Sequence, residues 1–335
     1  MTYQPTVRAA QNIDALLSTT LDKYYKSGLM HDAIFTSNPT FDFLKSAGRI
    51  KYIDGGMQLA INLMYGKNST VGPYSRYEEL NIDPQDGITQ AFFPWVQYAG
   101  AITIDGLSEF QNSGKAALVN LLGEKMEQLT MSFSEEMNED LFDSTVTGDA
   151  SQVSSKQLMS INALIDNDNT VGQIDSSSRE WWQSSINASG ADITTNQGLK
   201  EAMGTKYNDV SIGSGGKATL LLTTQEIFEK YENSMQEQIR YTSTETATAG
   251  FEKLRYKAAT MMWDSDCTTG SMYFINPKFL KLMVARGRDF RPGGFQRGIK
   301  QDARTANYLW YGQLVSSNRR KLGAITGIDA STINP

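Results

Sequence analysis

An α+β fold, with strands and helices segregated along the chain, is what this 335-residue sequence predicts. Three observations carry it. Apolar residues alternate with period two from Met57 to Tyr65, a spacing of three and four runs from Ser113 to Asp143, and short strand and helix signals follow in mixed order. With 40% apolar residues, a chain of this length buries roughly 75% of its unfolded surface. At about 150 residues per domain it has room for two domains, or for one large domain with extensions.

Residues 1–45 mix short apolar groups with turn residues such as Gly28, Asn38 and Pro39. They leave room for one short helix, from Ile13 to Tyr25, and read as an extended arm. Over 46–108, Met57, Leu59, Ile61, Leu63 and Tyr65 take one side of a strand, with Gln58, Ala60 and Asn62 largely on the other. A polar stretch from Gly66 to Gly87 then leads to a second aromatic and β-branched run, Ala91 to Ile104, and the two runs read as one long hairpin. Pro94 cannot donate to a ladder, so the return strand lies at an edge or is interrupted there. Such a hairpin is marginal by itself, and its free edges invite another chain. Its tip, Lys67 to Gln85, carries Tyr74, Arg76, Tyr77, Glu78 and Glu79, a mixture suited to an interface rim more than to one subunit's core.

Within 109–150, Leu118, Leu122, Met126, Leu129, Phe133, Met137 and Leu141 form one stripe of a helix about 45 Å long. From Glu124 to Asp149, eight acidic residues face the single basic Lys125; they are either a solvated helix face or a patch for a basic neighbour. The segment 151–285 alternates short elements. Leu158 to Leu164 and Arg179 to Ile186 look helical, and Ala218 to Leu222 is a buried strand. Thr223 and Glu226 form a capping box opening a helix through Ile227, Tyr231 and Met235. Met272 to Ile275 is a strand, followed by Asn276 as N-cap and Pro277 as first residue of a helix through Val284. In 286–335, Arg286, Arg288, Arg291, Arg297, Lys300 and Arg304 sit among glycines and are opposed only by Asp289 and Asp302. This is either a mobile basic loop for an acidic neighbour or polyanion, or a solvated connection. A strand from Tyr308 to Val315 and a small basic cluster, Arg319 to Lys321, follow.

Composition excludes several functions. A formal charge of -6 argues against a dedicated nucleic-acid binder. One cysteine, Cys267, forbids an internal disulfide. No signal-peptide pattern opens the sequence and no apolar run is long enough to span a membrane, so the expected place of synthesis is the cytoplasm. His31 and Cys267 are single and distant in sequence, which leaves no nucleophile and base pair and no zinc set; no catalytic, metal or cofactor-binding residue is expected. Asp166 to Thr170 resembles the start of a calcium loop, but Val171 stands where glycine is needed and Ser177 where glutamate is needed. Gly213 to Lys217 resembles a phosphate loop but has Ser211 and Ala218 at its key places. Both read as turns. Trp181 and Trp182 are a ring platform or, in the favoured reading, core packing for at least one of them.

The order of parts resembles that of the major capsid proteins of tailed bacteriophages, a fold shared with encapsulin shells. The stretches that look similar are Ile161 to Asp166 leading to Arg179–Trp182, Ala218 to Thr224 before a helix, Trp263 to Cys267 before Tyr273–Pro277, Tyr311 to Val315, and Asn318 to Ile328. The resemblance implies an N-arm (1–45), an E-loop hairpin (46–108), a spine helix of the P domain (109–150), a segment mainly of A domain (151–285), and a basic loop with the C-terminal P-domain strand (286–335). It implies a structural subunit, not an enzyme, that assembles with itself into hexamers and pentamers of an icosahedral virion shell. That shell encloses double-stranded DNA held by non-specific contact. A separate scaffolding protein, a portal and decoration proteins are the further partners implied, and no membrane is involved. The expected inter-subunit contacts are Lys67, Tyr74, Arg76, Tyr77 and Glu78 in the tip and Arg288, Arg291 and Arg297 in the basic loop. The alternatives are an encapsulin-type compartment and, more distantly, a hydrolase with an unrecognised site.

Overall fold

A computed structural model describes residues 19–22, 29–107, 115–149, 156–213, 215–235, 254–297 and 302–333. Two short helices, α1 (Leu29–Ser37) and α2 (Pro39–Ser46), precede the first strand. Pro39 starts α2 where its missing N–H costs nothing, and Phe41 and Leu44 on its inner face are fully buried with Ile34 and Phe35 of α1. Leu29–Ser37 and Pro39–Ser46 are therefore helical, with Ile34, Phe35, Phe41 and Leu44 in the core, in contrast to the extended arm expected. Most of the helix expected at Ile13 to Tyr25 lies outside the described residues.

The long hairpin expected over 46–108 divides. Strand β1 (Ile50–Ile53) pairs in parallel with a strand far along the chain, while β2 (Leu59–Met64) and β3 (Ile88–Phe93) pair only with each other. Pro94 interrupts the return run as expected, and after it β4 (Val96–Asp105) leaves the ribbon for a larger sheet. The long helix, α3 (Lys115–Phe142), spans 28 residues, close to expectation. Leu122, Met126, Phe133, Met137 and Leu141 are buried along it.

After α3, only Ile161–Leu164 (α4) of the expected Leu158 to Leu164 helix is helical, capped by Ser160, whose hydroxyl accepts from the Ala163 N–H at 3.1 Å. A two-residue pair, β5 (Thr170–Val171) and β6 (Ile174–Asp175), forms a small hairpin. The helix expected over Arg179 to Ile186 is one 3-10 turn, Glu180–Trp182, followed by β7 (Ser185–Asn187). A 16-residue helix, α5 (Asn196–Ser211), had no counterpart in the sequence reading. Thr195 caps it by accepting from the Gly198 N–H, and Leu199, Met203, Tyr207 and Val210 are its buried stripe.

Next come β8 (Leu220–Thr223) and α6 (Gln225–Asn233). Thr223 is not the cap of α6: it ends β8 and donates its hydroxyl to the Ser271 carbonyl, and Thr224 occupies the N-cap position without a side-chain bond. Beyond β9 (Leu254–Tyr256), β10 (Ala259–Trp263) and β11 (Met272–Ile275), the expected helix after Asn276 is absent. Asn276 caps one turn, its side chain accepting from the Lys278 N–H at 3.1 Å, and the chain then extends as β12 (Leu280–Ala285). Burial decides the outcome: β12 lies between β1 and β15 (Ala303–Ser316), which extends beyond the expected Tyr308 to Val315. The chain closes with β16 (Leu322–Ile325).

Two six-stranded sheets result. In one, β15 is the backbone: it pairs with β4 over its first ten residues and with β12 over its last five, while β13 (Arg291–Pro292) pairs at Tyr308–Leu309 and β14 (Gln296–Arg297) at Arg304–Thr305. The other runs β7-β16-β11-β8-β10-β9. Leu220, Leu222, Tyr273 and Ile275 face the main core, whereas Leu221, Phe274 and Met261 face a second core under α5 and α6. Layers on both faces explain why β8 and β11 are continuous apolar runs and not alternating ones.

Candidate assembly interface

The β2–β3 hairpin combines a clamped root with a bare tip. Its register runs from Leu59 opposite Phe93 to Met64 opposite Ile88. Leu59, Leu63, Ala91 and Phe93 turn inward and are buried; Met64 and Ile88 turn outward and are exposed. At the root, the Phe92 N–H donates to the Gly172 carbonyl at 3.0 Å, Trp95 donates its ring N–H to the Gly56 carbonyl, and Tyr65 stacks on Trp181 with ring centres 4.9 Å apart. Trp182 is buried and donates to the Val171 carbonyl, so core packing holds for that ring.

Beyond Tyr65 the hairpin touches only itself. Among the described residues, the hydrogen bonds of 67–85 stay inside the tip: Gln85 accepts from the Ser69 N–H and hydroxyl, Glu78 from the Ser75 N–H, Asn81 from the Asp83 N–H. Lys67, Tyr74, Arg76, Tyr77 and Glu78 are all exposed there. So are residues the sequence reading passed over. Of thirteen large apolar side chains exposed among the described residues, nine lie between Met57 and Ile88, with Tyr77 at 98%, Ile82 at 89% and Val71 at 82%. Solvated single residues are ordinary; it is the concentration on one ribbon that sets this surface apart. Val71, Leu80 and Ile82 carried the signal: apolar residues inside a polar loop, with no periodicity to bury them.

The basic segment is more ordered than a free loop. Arg291–Pro292 and Gln296–Arg297 are clipped to β15, and the Arg288 guanidinium lies 5.2 Å over the Tyr311 ring. Arg288, Arg291 and Arg297 are exposed, Arg286 pairs with Asp54 at 3.2 Å, and Arg304 is buried inside β15. Lys300 lies outside the described residues. No hydrogen bond, ion pair or ring contact joins the tip set to the arginine set among the described residues.

Of the eight acidic groups near α3, five on the helix are exposed, whereas Asp140 accepts from Tyr98 and from Gln157 and has its pKa raised by burial. The same burial, with Asp140 adjacent, pushes the Tyr98 phenol well above its usual range. Asp264 is buried too and its pKa is raised, although Asn138 at 2.8 Å and Thr40 at 3.3 Å donate to it. Desolvation also pushes the Cys267 thiol far up, which removes the thiolate a nucleophile needs. A groove of about 830 Å³ beside the end of α3 is lined by Glu136, Glu139, Asp143 and Asp266 and presents no base paired with a nucleophile. Among the described residues no group of His, Cys, Asp and Glu is placed to hold a metal ion, and no helix is long and apolar enough to cross a membrane.

No protein-family model matches the sequence, and no curated protein matches it. Solved structures do. The subunit of the cyanophage A-1(L) capsid superposes with a TM-score of 0.64 at 16% identity, covering 85% of this chain and 92% of that one. The chain has the tailed-phage capsid-protein fold. A procapsid subunit of satellite phage P4, in a structure that includes the size determination (Sid) protein, gives 0.50 at 10% identity over 100% of this chain and 93% of that one. The SrpI encapsulin of Synechococcus elongatus gives 0.50 at 8% over 87% and 90%.

Proposed function

We propose that the chain is a major capsid protein, a structural subunit that closes with copies of itself into an icosahedral shell around a tailed phage's double-stranded DNA. The observation that carries this reading is the hairpin, whose tip holds five exposed large apolar groups, Val71, Tyr74, Tyr77, Leu80 and Ile82, and hydrogen-bonds only within itself among the described residues. Fully burying one such side chain contributes about 1.5–3 kcal/mol, so a neighbour that covers even a few provides strong association. In this reading β2 and β3 are the E-loop, α3 is the spine helix, and the sheet built on β15 belongs to the P domain. The sheet from β7 to β9 belongs to the A domain. Lys67, Tyr74, Arg76, Tyr77 and Glu78 contact the adjacent subunit, and Arg288, Arg291 and Arg297 meet another copy or packaged DNA without reading bases. The role is structural and not catalytic. Scaffold, portal and decoration proteins are its expected accessory partners, the host cytoplasm its place of synthesis and the virion its destination.

Negative-stain electron microscopy and light scattering of the purified chain, with and without a scaffold, test the assembly. Closed shells or hexamer and pentamer rings are expected, and a strict monomer at every concentration overturns the reading. Nucleic-acid content of shells from infected cells separates the readings that share this fold: a full-length DNA genome supports a capsid, and protein cargo supports an encapsulin-type compartment.

A further inference from the structure

Arg319 is fully buried, yet its hydrogen-bond acceptors are all neutral. Its Nε–H donates to the Leu164 carbonyl at 2.8 Å, and one terminal nitrogen donates to the Ser176 hydroxyl oxygen. The other reaches the Asp166 carbonyl at 2.5 Å, the Asn169 side-chain oxygen at 2.7 Å and the Ala163 carbonyl at 3.3 Å. The guanidinium also lies 5.8 Å over the Trp182 ring. Burial holds its pKa down at about 10, with Asp166 and Asp149 opposing that shift.

What these acceptors bracket is the small β5–β6 hairpin. Asn169 stands at its entrance and Ser176 at its exit, and the two are joined directly, the Ser176 N–H and hydroxyl both donating to the Asn169 carbonyl. The turn between the strands, Gly172–Gln173, has both residues at positive φ, 64° and 63°, the mirror-type turn of two-residue hairpins. Asp149 accepts from both turn N–H groups, and the turn presents the Gly172 carbonyl to the Phe92 N–H at the root of the β2–β3 hairpin. Gln173 reaches Gln58 on the same root at 3.4 Å. Residues 169–176 thus form a strut: one end is clasped by Arg319, which leads directly into β16, and the other bears on the root.

We propose that Arg319 is a positioning residue for assembly, fixing through this strut the angle at which the β2–β3 hairpin leaves the body. Lysine keeps the charge but has no planar fork to hold acceptors on both ends of the strut. The assembly clause rests on the shell-forming reading above; the strut itself does not.

The test uses the full chain carrying Arg319→Lys and, as a milder change that keeps the guanidinium, Ser176→Ala. Amide hydrogen exchange is followed by mass spectrometry at 88–95 and 169–176, with 272–275 and 322–325 as internal references, and closed shells are counted by sedimentation. Arg319→Lys is expected to speed exchange at the root and strut by about tenfold or more while the references hold, with fewer closed shells; Ser176→Ala is expected to do the same to a smaller degree. Uniform acceleration across all four segments, or none at the root in either variant, overturns the proposal. If the root loosens and shells still close normally, the strut has no part in assembly and that clause falls. If the unmodified chain forms no shells, the capsid reading fails, and the exchange pattern alone decides the strut.

Discussion

The two ends of the β2–β3 hairpin are built on opposite principles. At the root, Leu59, Leu63, Ala91 and Phe93 turn inward and are buried, and the backbone is tied to the Gly172 turn and through it to Asp149 and the strut. At the tip, side chains of comparable apolar character are exposed, and the hydrogen bonds among Ser69, Ser75, Glu78, Asn81, Asp83 and Gln85 are local. An isolated two-stranded ribbon is marginal in water, so the root supplies the order that the tip lacks. The difference teaches how such an arm works. Its root is held inside one subunit, while its tip is left uncovered there; on the proposed reading the free energy that covers that tip comes from a neighbouring copy.

The sharpest way to break this comparison is to remove the tip. Replacing Lys67 to Gln85 by a short Gly-Ser turn should leave thermal unfolding of the subunit nearly unchanged, because closure entropy varies slowly with loop length and the tip's bonds are its own. Recovery of shells by sedimentation should fall to background. Normal shells from the shortened chain, or a subunit that no longer folds, would show that tip and body are not independent.

The root is tested by Gly172→Ala. Its φ of +64° disfavours any side chain, and an added Cβ would lie 2.7 Å from the Ala91 Cβ on the hairpin itself. Strain and overlap together should cost about 1–3 kcal/mol in chemical denaturation and should reduce closed shells as well. A change here with no loss of either kind would mean that the turn does not brace the hairpin.

Much of this arrangement is legible in the sequence because it follows from periodicity. The alternation at Leu59, Ile61 and Leu63 and the unbroken stripe of α3 need no tertiary information to be recognised. Asn276–Pro277 misleads because the cap signal is genuine but governs a single turn; only the slot between β1 and β15 makes Leu280, Leu282 and Val284 a strand. Helix α5 hides behind Gly198, Gly204 and two asparagines, although Leu199, Met203, Tyr207 and Val210 are helically spaced. The strut was invisible for a different reason: its strands are two residues long, and three of the acceptors around Arg319 are backbone carbonyls. The likeness of Asp166 to Thr170 to a calcium loop has a physical basis after all. That segment does present oxygens to a cation, and the cation is Arg319 of the same chain.

A single tip residue separates the two ends more finely. Ile82→Ser should leave subunit stability within about 0.5 kcal/mol, as surface changes usually do, because the side chain is 89% exposed. If a neighbour buries it, the change removes about 1.5–3 kcal/mol from a contact, and the concentration at which shells form should rise by roughly tenfold for each 1.4 kcal/mol lost. Light scattering across a concentration series reads this directly. An unchanged threshold would place Ile82 in solvent in the shell as well.

The smallest effect concerns pH and belongs to the body alone. Burial raises the Asp264 carboxyl above its ordinary 3.8, and the Asp140 carboxyl likewise. The sign follows from linkage: a group that holds its proton more tightly when folded contributes stability that is complete below its unfolded pKa and is lost as pH rises through the folded one. These two groups should therefore favour the folded subunit as pH falls from neutrality towards 4, against the usual trend of paired carboxylates. Asp264→Asn keeps the shape and retains an acceptor for the Asn138 amide at 2.8 Å, but it cannot ionise. It should flatten the part of the stability-against-pH curve that rises on acidification, and do so equally in the full chain and in the chain lacking Lys67 to Gln85. Denaturation at a series of pH values in both backgrounds is the measurement. A flattening seen in only one of them would mean that the tip bears on the Asp264 site, and the separation of clamped body from bare arm would no longer hold.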